Sequence, residues 1–167
     1  MKRILIIGIP GAGKTFFSRK LAKKTGLSLV HLDYYYHQTK SNYYNNKLAW
    51  KAKVKELIAK DEWIIEGNYQ STYDIRFARA DCIILLDIPK TKAVYRVLKR
   101  HVAGRSRRRE EMPLEWKEKI GRDFIKHIWN FDKKEVTKVY SELKNHKNKE
   151  LIVLNTTQQT EEFLEML

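Results

Sequence analysis

One cysteine, three prolines and seven glycines are scattered over 167 residues, and each scarcity excludes something. A single thiol, Cys82, rules out a disulfide framework. It sits inside the apolar run Cys82-Ile83-Ile84-Leu85-Leu86 and reads as a small core residue. So little glycine and proline excludes collagen-like and linker-rich chains. No apolar run reaches the roughly 18 residues that a bilayer-crossing helix needs. The short apolar stretch near the N-terminus ends in a glycine loop and does not read as a secretory signal. Acids are the minority charge: 20 Asp and Glu against 34 Lys and Arg leave a formal charge of +14. That excess attracts nucleotides, phosphorylated metabolites, nucleic acids and membrane surfaces alike, and selects none of them. The length suits one domain over residues 1–167, expected in the cytoplasm, with no membrane partner and an open oligomeric state.

What is present starts at once. Gly8-Ile9-Pro10-Gly11-Ala12-Gly13-Lys14-Thr15 is a complete G-x-x-x-x-G-K-[ST] loop. Arg3-Ile4-Leu5-Ile6-Ile7 before it reads as a buried strand, and the stretch from Thr15 to Lys24 carries helical spacing, with Phe17 and Leu21 on one face. Strand, glycine loop and helix follow one another as a phosphate-binding loop requires. Glycines at 8, 11 and 13 let the backbone curl so that successive N–H groups point at phosphate oxygens. The helix N-terminus adds its partial positive charge to the same spot. Lys14 is expected on the β- and γ-phosphates, and the Thr15 hydroxyl on Mg²⁺. The nucleotide site is therefore expected over Gly8, Pro10, Gly11, Ala12, Gly13, Lys14, Thr15 and Phe16, with ATP and Mg²⁺ as cofactors.

Four further strands are expected at Ser28–Leu32, Trp63–Glu66, Cys82–Leu86 and Leu151–Leu154, separated by helices near 48–60, 90–102, 113–129, 132–146 and 159–167. Pro113 suits the first turn of its helix. Strands alternating with helices imply an α/β, doubly wound domain with a parallel sheet covered on both faces. Ligands of such sheets bind beyond the carboxyl ends of the strands. Asp33, Glu66 and Asp87 end the second, third and fourth strands, so all three carboxylates are expected on the edge that carries the glycine loop. A carboxylate there, with Thr15, supports Mg²⁺. A solvated or capping role is the plain alternative for any one of them.

Seven basic residues and no acid lie between Arg96 and Arg109. Arg96 and Arg100 are one helical turn apart, and 104–112 reads as a loop. In a phosphoryl-transfer enzyme such a loop is a lid whose planar guanidinium groups grip phosphate. A basic surface loop and a nucleic-acid patch are the competing readings. The segment Tyr34-Tyr35-Tyr36-His37 with Tyr43-Tyr44 is aromatic and polar together, suited either to stacking on a ring or to covering a sheet edge. His31 reads as a satisfied strand-end histidine, and Trp50, Trp63, Trp116 and Trp129 read as core.

These residues resemble a known group. The glycine loop, His31-Leu32-Asp33, Trp63-Ile64-Ile65-Glu66-Gly67-Asn68-Tyr69, Arg76-x-x-Arg79-Ala80-Asp81, Leu86-Asp87-x-Pro89, Tyr95 to Arg100 and Trp129-Asn130-Phe131 look like the adenylate kinase-related DNA topology modulation (FlaR-related) proteins. The wider resemblance is to nucleoside-monophosphate kinases and shikimate kinase-like enzymes. It implies a P-loop NTPase three-layer α/β/α fold with a five-stranded parallel sheet in the order 2-3-1-4-5. It also implies an acceptor region near 34–60 and a short arginine-rich lid near 101–113. By the same resemblance, Arg100, Arg105 and Arg107 are catalytic lid arginines beside Lys14. Asp33, Asn68, Arg76 and Arg79 would bind the acceptor, and Thr15, Glu66 and Asp33 would hold the metal. Arg122 would be a further phosphate contact or a plain surface arginine, and residues 155–159 would pack the adenine. The implied activity is Mg·ATP-dependent phosphoryl transfer to an unidentified small molecule or nucleotide. The alternative is an ATP-regulated nucleic-acid-binding protein.

Overall fold

Ile4, Leu5, Ile6 and Ile7 are all buried, in the two-sided environment that β-branched side chains of a central parallel strand occupy. They form the middle of β1 (Arg3–Gly8), and β2 (Leu29–His31), β3 (Trp63–Glu66), β4 (Cys82–Leu86) and β5 (Glu150–Leu154) complete one sheet. Every pairing is parallel and the order is β2-β3-β1-β4-β5. Leu5 stands opposite Ile65 on one side and Ile83 on the other. Parallel neighbours cannot be joined by tight hairpins, so helices make the crossovers. These are α1 (Lys14–Thr25), α2 (Leu32–Tyr36), α3 (Lys47–Leu57), α4 (Tyr73–Arg79), α5 (Lys90–Val102), α6 (Arg122–Trp129) and α7 (Thr137–Asn145), and α8 (Thr157–Glu165) follows the last strand. The computed structural model describes residues 1–38, 43–103, 111–115, 121–131, 135–146 and 149–167.

Side chains alternate between two cores, as the strand period of two requires. Ile4, Ile6, Ile84 and Leu86 pack with Phe17 and Leu21 of α1, Val97 of α5, Ile128 of α6 and Leu164 of α8. Leu5, Ile7, Ile83 and Leu85 pack with Trp50 and Val54 of α3, Tyr73 and Phe77 of α4, and Val139 of α7. Helices therefore cover both faces, in the three-layer α/β/α arrangement expected from the sequence. Cys82 lies in the first core, where burial pushes its thiol up to about 12, so it is an inert packing residue. Among the described residues no helix is long and apolar enough to cross a membrane.

Several expected boundaries shift. The second strand stops at His31. Leu32 is buried and opens α2, with Asp33 in its first turn, where a carboxylate complements the helix N-terminus. Residues 113–115 are not helical, and α6 begins at Arg122 after Gly121, so Pro113 does not open that helix. The described part of the 132–146 helix is α7, with 132–134 lying outside the described residues. Trp50 and Trp63 are core as expected, whereas Trp129 is 53% exposed and Trp116 lies outside the described residues.

Candidate active site

The loop between β1 and α1 is shaped by close backbone approach. Gly11 has φ +89, and a Cβ there would stand 2.5 Å from the Ala93 carbonyl oxygen at the start of α5. Only glycine fits both conditions. Lys14 opens α1 and folds back over the loop, its Nζ donating to the carbonyls of Gly8 at 2.8 Å and Ile9 at 3.3 Å. Pro10 to Phe16 line a cleft of about 2010 Å³ along the carboxyl edge of the sheet. The Phe16 ring stands 62% exposed beside it, with the Lys20 ammonium over its face at 4.5 Å.

The end of β3 supplies the acid. The Thr15 hydroxyl donates to Glu66 Oε1 at 3.0 Å, and His31 Nδ1 meets the same oxygen at 2.7 Å. His31 is thus a satisfied strand-end histidine, and its partner is this carboxylate. Glu66 is 6% exposed, and its second oxygen, Oε2, is buried with no hydrogen-bond partner. A buried anionic oxygen without a donor is costly. A threonine that gives its proton to one carboxylate oxygen keeps lone pairs free beside the other. That pair of oxygen donors would suit a hard cation such as Mg²⁺, which binds through few protein oxygens. Among the described residues no group of three or more His, Cys, Asp or Glu could hold a metal without such help.

The segment after β3 ties the two ends of the cleft together. Gly67 has φ +132, and a Cβ there would come within 2.9 Å of Leu32 Cβ. Asn68 Oδ1 accepts the Gly8 N–H at 3.2 Å, joining this segment to the glycine loop. Tyr69 adopts φ +37, the one positive value at a non-glycine among the described residues. Its hydroxyl donates to Asp33 Oδ1 at 2.8 Å. Burial, with the Asp33 charge beside it, pushes the Tyr69 phenol far up, so it stays a donor.

Arg76 explains how the segment holds this shape. It is 0% exposed. Its Nε donates to Thr72 Oγ1 at 3.0 Å, Nη1 to Gly67 O at 2.8 Å, and Nη2 to Tyr69 O at 3.0 Å and to Asn68 O. Desolvation lowers its pKa to about 10, which leaves it charged at neutral pH. Its face lies against the Tyr73 ring, whose hydroxyl donates to Glu135 at 2.8 Å.

The expectation that Arg76 and Arg79 face an acceptor does not match these positions. Arg76 points inward as a backbone clamp. Arg79, at the C-terminus of α4, reaches the Ala59 and Lys60 carbonyls at 3.2 Å each, on the edge where β4 begins. Neither lines the cleft. Asp33, Glu66 and Asn68 do line it, while Asp87 and Arg122 do not. Of the expected lid arginines, Arg100 lines the cleft, and Arg105 and Arg107 lie outside the described residues. Within 155–159, Thr157 lines the cleft, and Gln159 closes a capping box with Thr156 that starts α8.

Arg96 was counted in the basic run without a role of its own. Its Nη1 donates to the Ala12 carbonyl at 3.0 Å and its Nη2 to Thr157 Oγ1 at 2.8 Å, buttressing the glycine loop from α5 and α8. Its signals in the sequence are the one-turn offset from Arg100 and a place in the Tyr95–Arg100 stretch. Tyr69 stands in the Trp63–Tyr69 stretch with no role of its own, since that role depends on a backbone turn.

A glycine loop on the central strand, an acid on the next strand and a 2-3-1-4-5 sheet define the P-loop kinase class of fold. No family model matches the chain. A curated relative, shikimate kinase of Parabacteroides distasonis, is 49% identical over 45 residues, 25% of this chain, and the match spans only 26% of that protein's length. Among solved structures, shikimate kinase from Acinetobacter baumannii in complex with shikimate is similar with TM-score 0.66 at 13% identity, over 99% of this chain and 90% of that one. A gluconokinase from Sinorhizobium meliloti 1021 gives TM-score 0.58 at 13% identity over 98% and 87% of the two chains. Deoxyadenosine kinase from M. mycoides with bound dATP gives 0.55 at 17% identity over 99% and 98%. At these identities the likeness is one of fold.

Proposed function

We propose that this protein is a Mg·ATP-dependent phosphotransferase that moves the γ-phosphoryl group to a small acceptor. The observation that carries the reading is the Thr15–Glu66 pair, with Glu66 Oε2 buried and unpartnered at the mouth of the glycine loop. The kinase fold and the short, strongly similar stretch shared with a shikimate kinase support it. So do the motifs shared with adenylate kinase-related topology modulation proteins.

The residues divide the work. Glycine-loop N–H groups and the α1 N-terminus receive the phosphates. Lys14 leaves the Gly8 and Ile9 carbonyls for the β- and γ-phosphates, and Arg96 keeps the loop shaped. Thr15 and Glu66 would hold Mg²⁺, which when bound neutralises charge between the phosphates. Asp33, one oxygen held by Tyr69, accepts a hydrogen bond from the acceptor hydroxyl with the other. The hydroxyl oxygen then forms its bond to γ-phosphorus as the bond to the bridging oxygen breaks, ADP leaves, and the hydroxyl proton passes through Asp33 to water. Positioning and charge neutralisation account for the catalysis.

The test is ADP release with Mg·ATP over a panel of nucleosides, nucleoside monophosphates and hydroxylated metabolites, read above the acceptor-free background. Lys14→Ala should lower acceptor-dependent turnover by at least about a thousandfold. Transfer at the wild-type rate in that variant overturns the reading. The net charge of +14 favours one rival, a nucleotide-regulated nucleic-acid-binding protein. DNA binding that survives physiological salt and depends on ATP would support the rival, and binding that salt abolishes dismisses it.

A further inference from the structure

The two ends of the cleft differ in charge. Among the described residues that line it beyond Lys14, Arg96, Lys99 and Arg100 come from α5 and Lys126 from α6, while Arg19 of α1 is paired with Glu111. In the sheet order, the strand preceding α5 lies on the far side of β1 from β2 and β3. The β2–β3 side contributes Asp33, His37, Glu66, Asn68, Tyr69 and Gln70, with Glu135 beside them. With Glu66 given to Thr15 and the metal, that set keeps two carboxylates, Asp33 and Glu135, and among the described residues no arginine or lysine. Arg76, nearby, is 0% exposed and bonded to three consecutive carbonyls. It also has Glu135 close by, across the Tyr73 hydroxyl. Arg79 is on the opposite edge of the sheet.

The same end is built of rings. Tyr36 lies at the centre, 4.6 Å from Tyr69, 4.7 Å from Tyr44 and 5.0 Å from Trp50 between ring centroids. Trp50 and Tyr69 are themselves 5.0 Å apart. Tyr69 and His37 present the cleft-facing surface of this cluster, and Tyr34 and Tyr44 remain 42% and 60% exposed. Aromatic faces with a carboxylate acceptor at hand suit a flat ring that carries hydroxyl groups. They oppose a second phosphate or carboxylate, which would meet Asp33 with no cation among the described residues of this side to balance it.

We infer that the acceptor is an uncharged, hydroxyl-bearing ring compound of the nucleoside type, and that this end of the cleft rejects the same scaffolds when they carry a phosphate or carboxylate. The inference rests on the phosphotransferase reading for the transfer step, while the selection itself is a binding property and is measured separately.

The experiment uses two matched pairs, deoxyadenosine with deoxyadenosine monophosphate, and the methyl ester of shikimate with shikimate. Each is titrated calorimetrically into the full chain saturated with Mg·ADP, and each is assayed for ADP release with Mg·ATP. The neutral member of at least one pair should bind with a Kd at least about tenfold below that of its anionic partner, a difference of about 1.4 kcal/mol. Asp33→Asn should weaken that neutral ligand about tenfold while leaving the Kd for ATP unchanged, which also reports an intact fold. Arg79→Ala should change neither. The inference is overturned if the anionic members bind as tightly or more tightly, or if no member of either pair binds. Neutral selection without ADP release sinks the phosphotransferase reading and leaves the selection standing. ADP release driven best by an anionic member does the reverse.

Discussion

The nucleotide end and the acceptor end of the cleft are held together by different kinds of bond. At the nucleotide end a contiguous stretch, Pro10 to Phe16, lines the wall, and its shape is set by backbone packing, as at Gly11 against Ala93. At the acceptor end separate segments meet through side chains: Asp33 with Tyr69, and Arg76 with the carbonyls of 67–69. A backbone-built site tolerates most side-chain changes and fails when a Cβ intrudes. A site built from side chains fails when one clamp is cut.

Cutting the clamp should give the largest effect. Arg76→Met leaves the carbonyls at 67–69 without their guanidinium and removes the positive charge packed on Tyr73, the partner of Glu135. Stability measured by urea unfolding should fall by about 3 kcal/mol. In whatever folds, the KM for the acceptor should rise more than that for ATP. Equal changes in both would erase the distinction between the two ends. Gly11→Ala should produce the opposite pattern. Strain at φ +89 and the clash with Ala93 should raise the Kd for ATP by about thirtyfold, roughly 2 kcal/mol, with acceptor binding little altered. Loss of acceptor binding instead would mean that the loop and the acceptor end move as one.

The smallest effect belongs to neither end and serves as the control. On the far edge of the sheet, Arg3 Nη2 pairs with Asp81 Oδ1 at 2.6 Å, and that hydrogen bond holds the Asp81 carboxyl below its ordinary range. A depressed carboxyl contributes stability above its unfolded pKa of about 4, and that stability is lost as pH falls through the folded value. Asp81→Asn should flatten the acid-side fall of the melting temperature and leave both binding constants unchanged. A shift in either binding constant would tie this edge to the cleft.

Much of the fold was legible in the chain because its signals are local. The run Ile4 to Ile7 reads as a buried strand and the glycine loop marks the turn that follows, whereas the Thr156–Gln159 capping box starts α8 two residues before the expected helix. Boundaries moved where tertiary packing outweighed pattern. The strand expected through Leu32 gives way to a helix once Leu32 packs into the second core. The acceptor residues were legible only in part. Asp33 and Asn68 reach the cleft, but Arg76 and Arg79 in the same helix do not.

By itself the sequence determined the phosphate-binding loop and the alternation that builds a parallel sheet, since both depend on neighbours within a few residues. Only the tertiary structure decided which charges face the cleft. Glu66 Oε2 is orphaned there, Tyr69 is turned onto Asp33, and Arg76 is drawn inward, because each outcome depends on groups from distant segments that meet only when the sheet has formed.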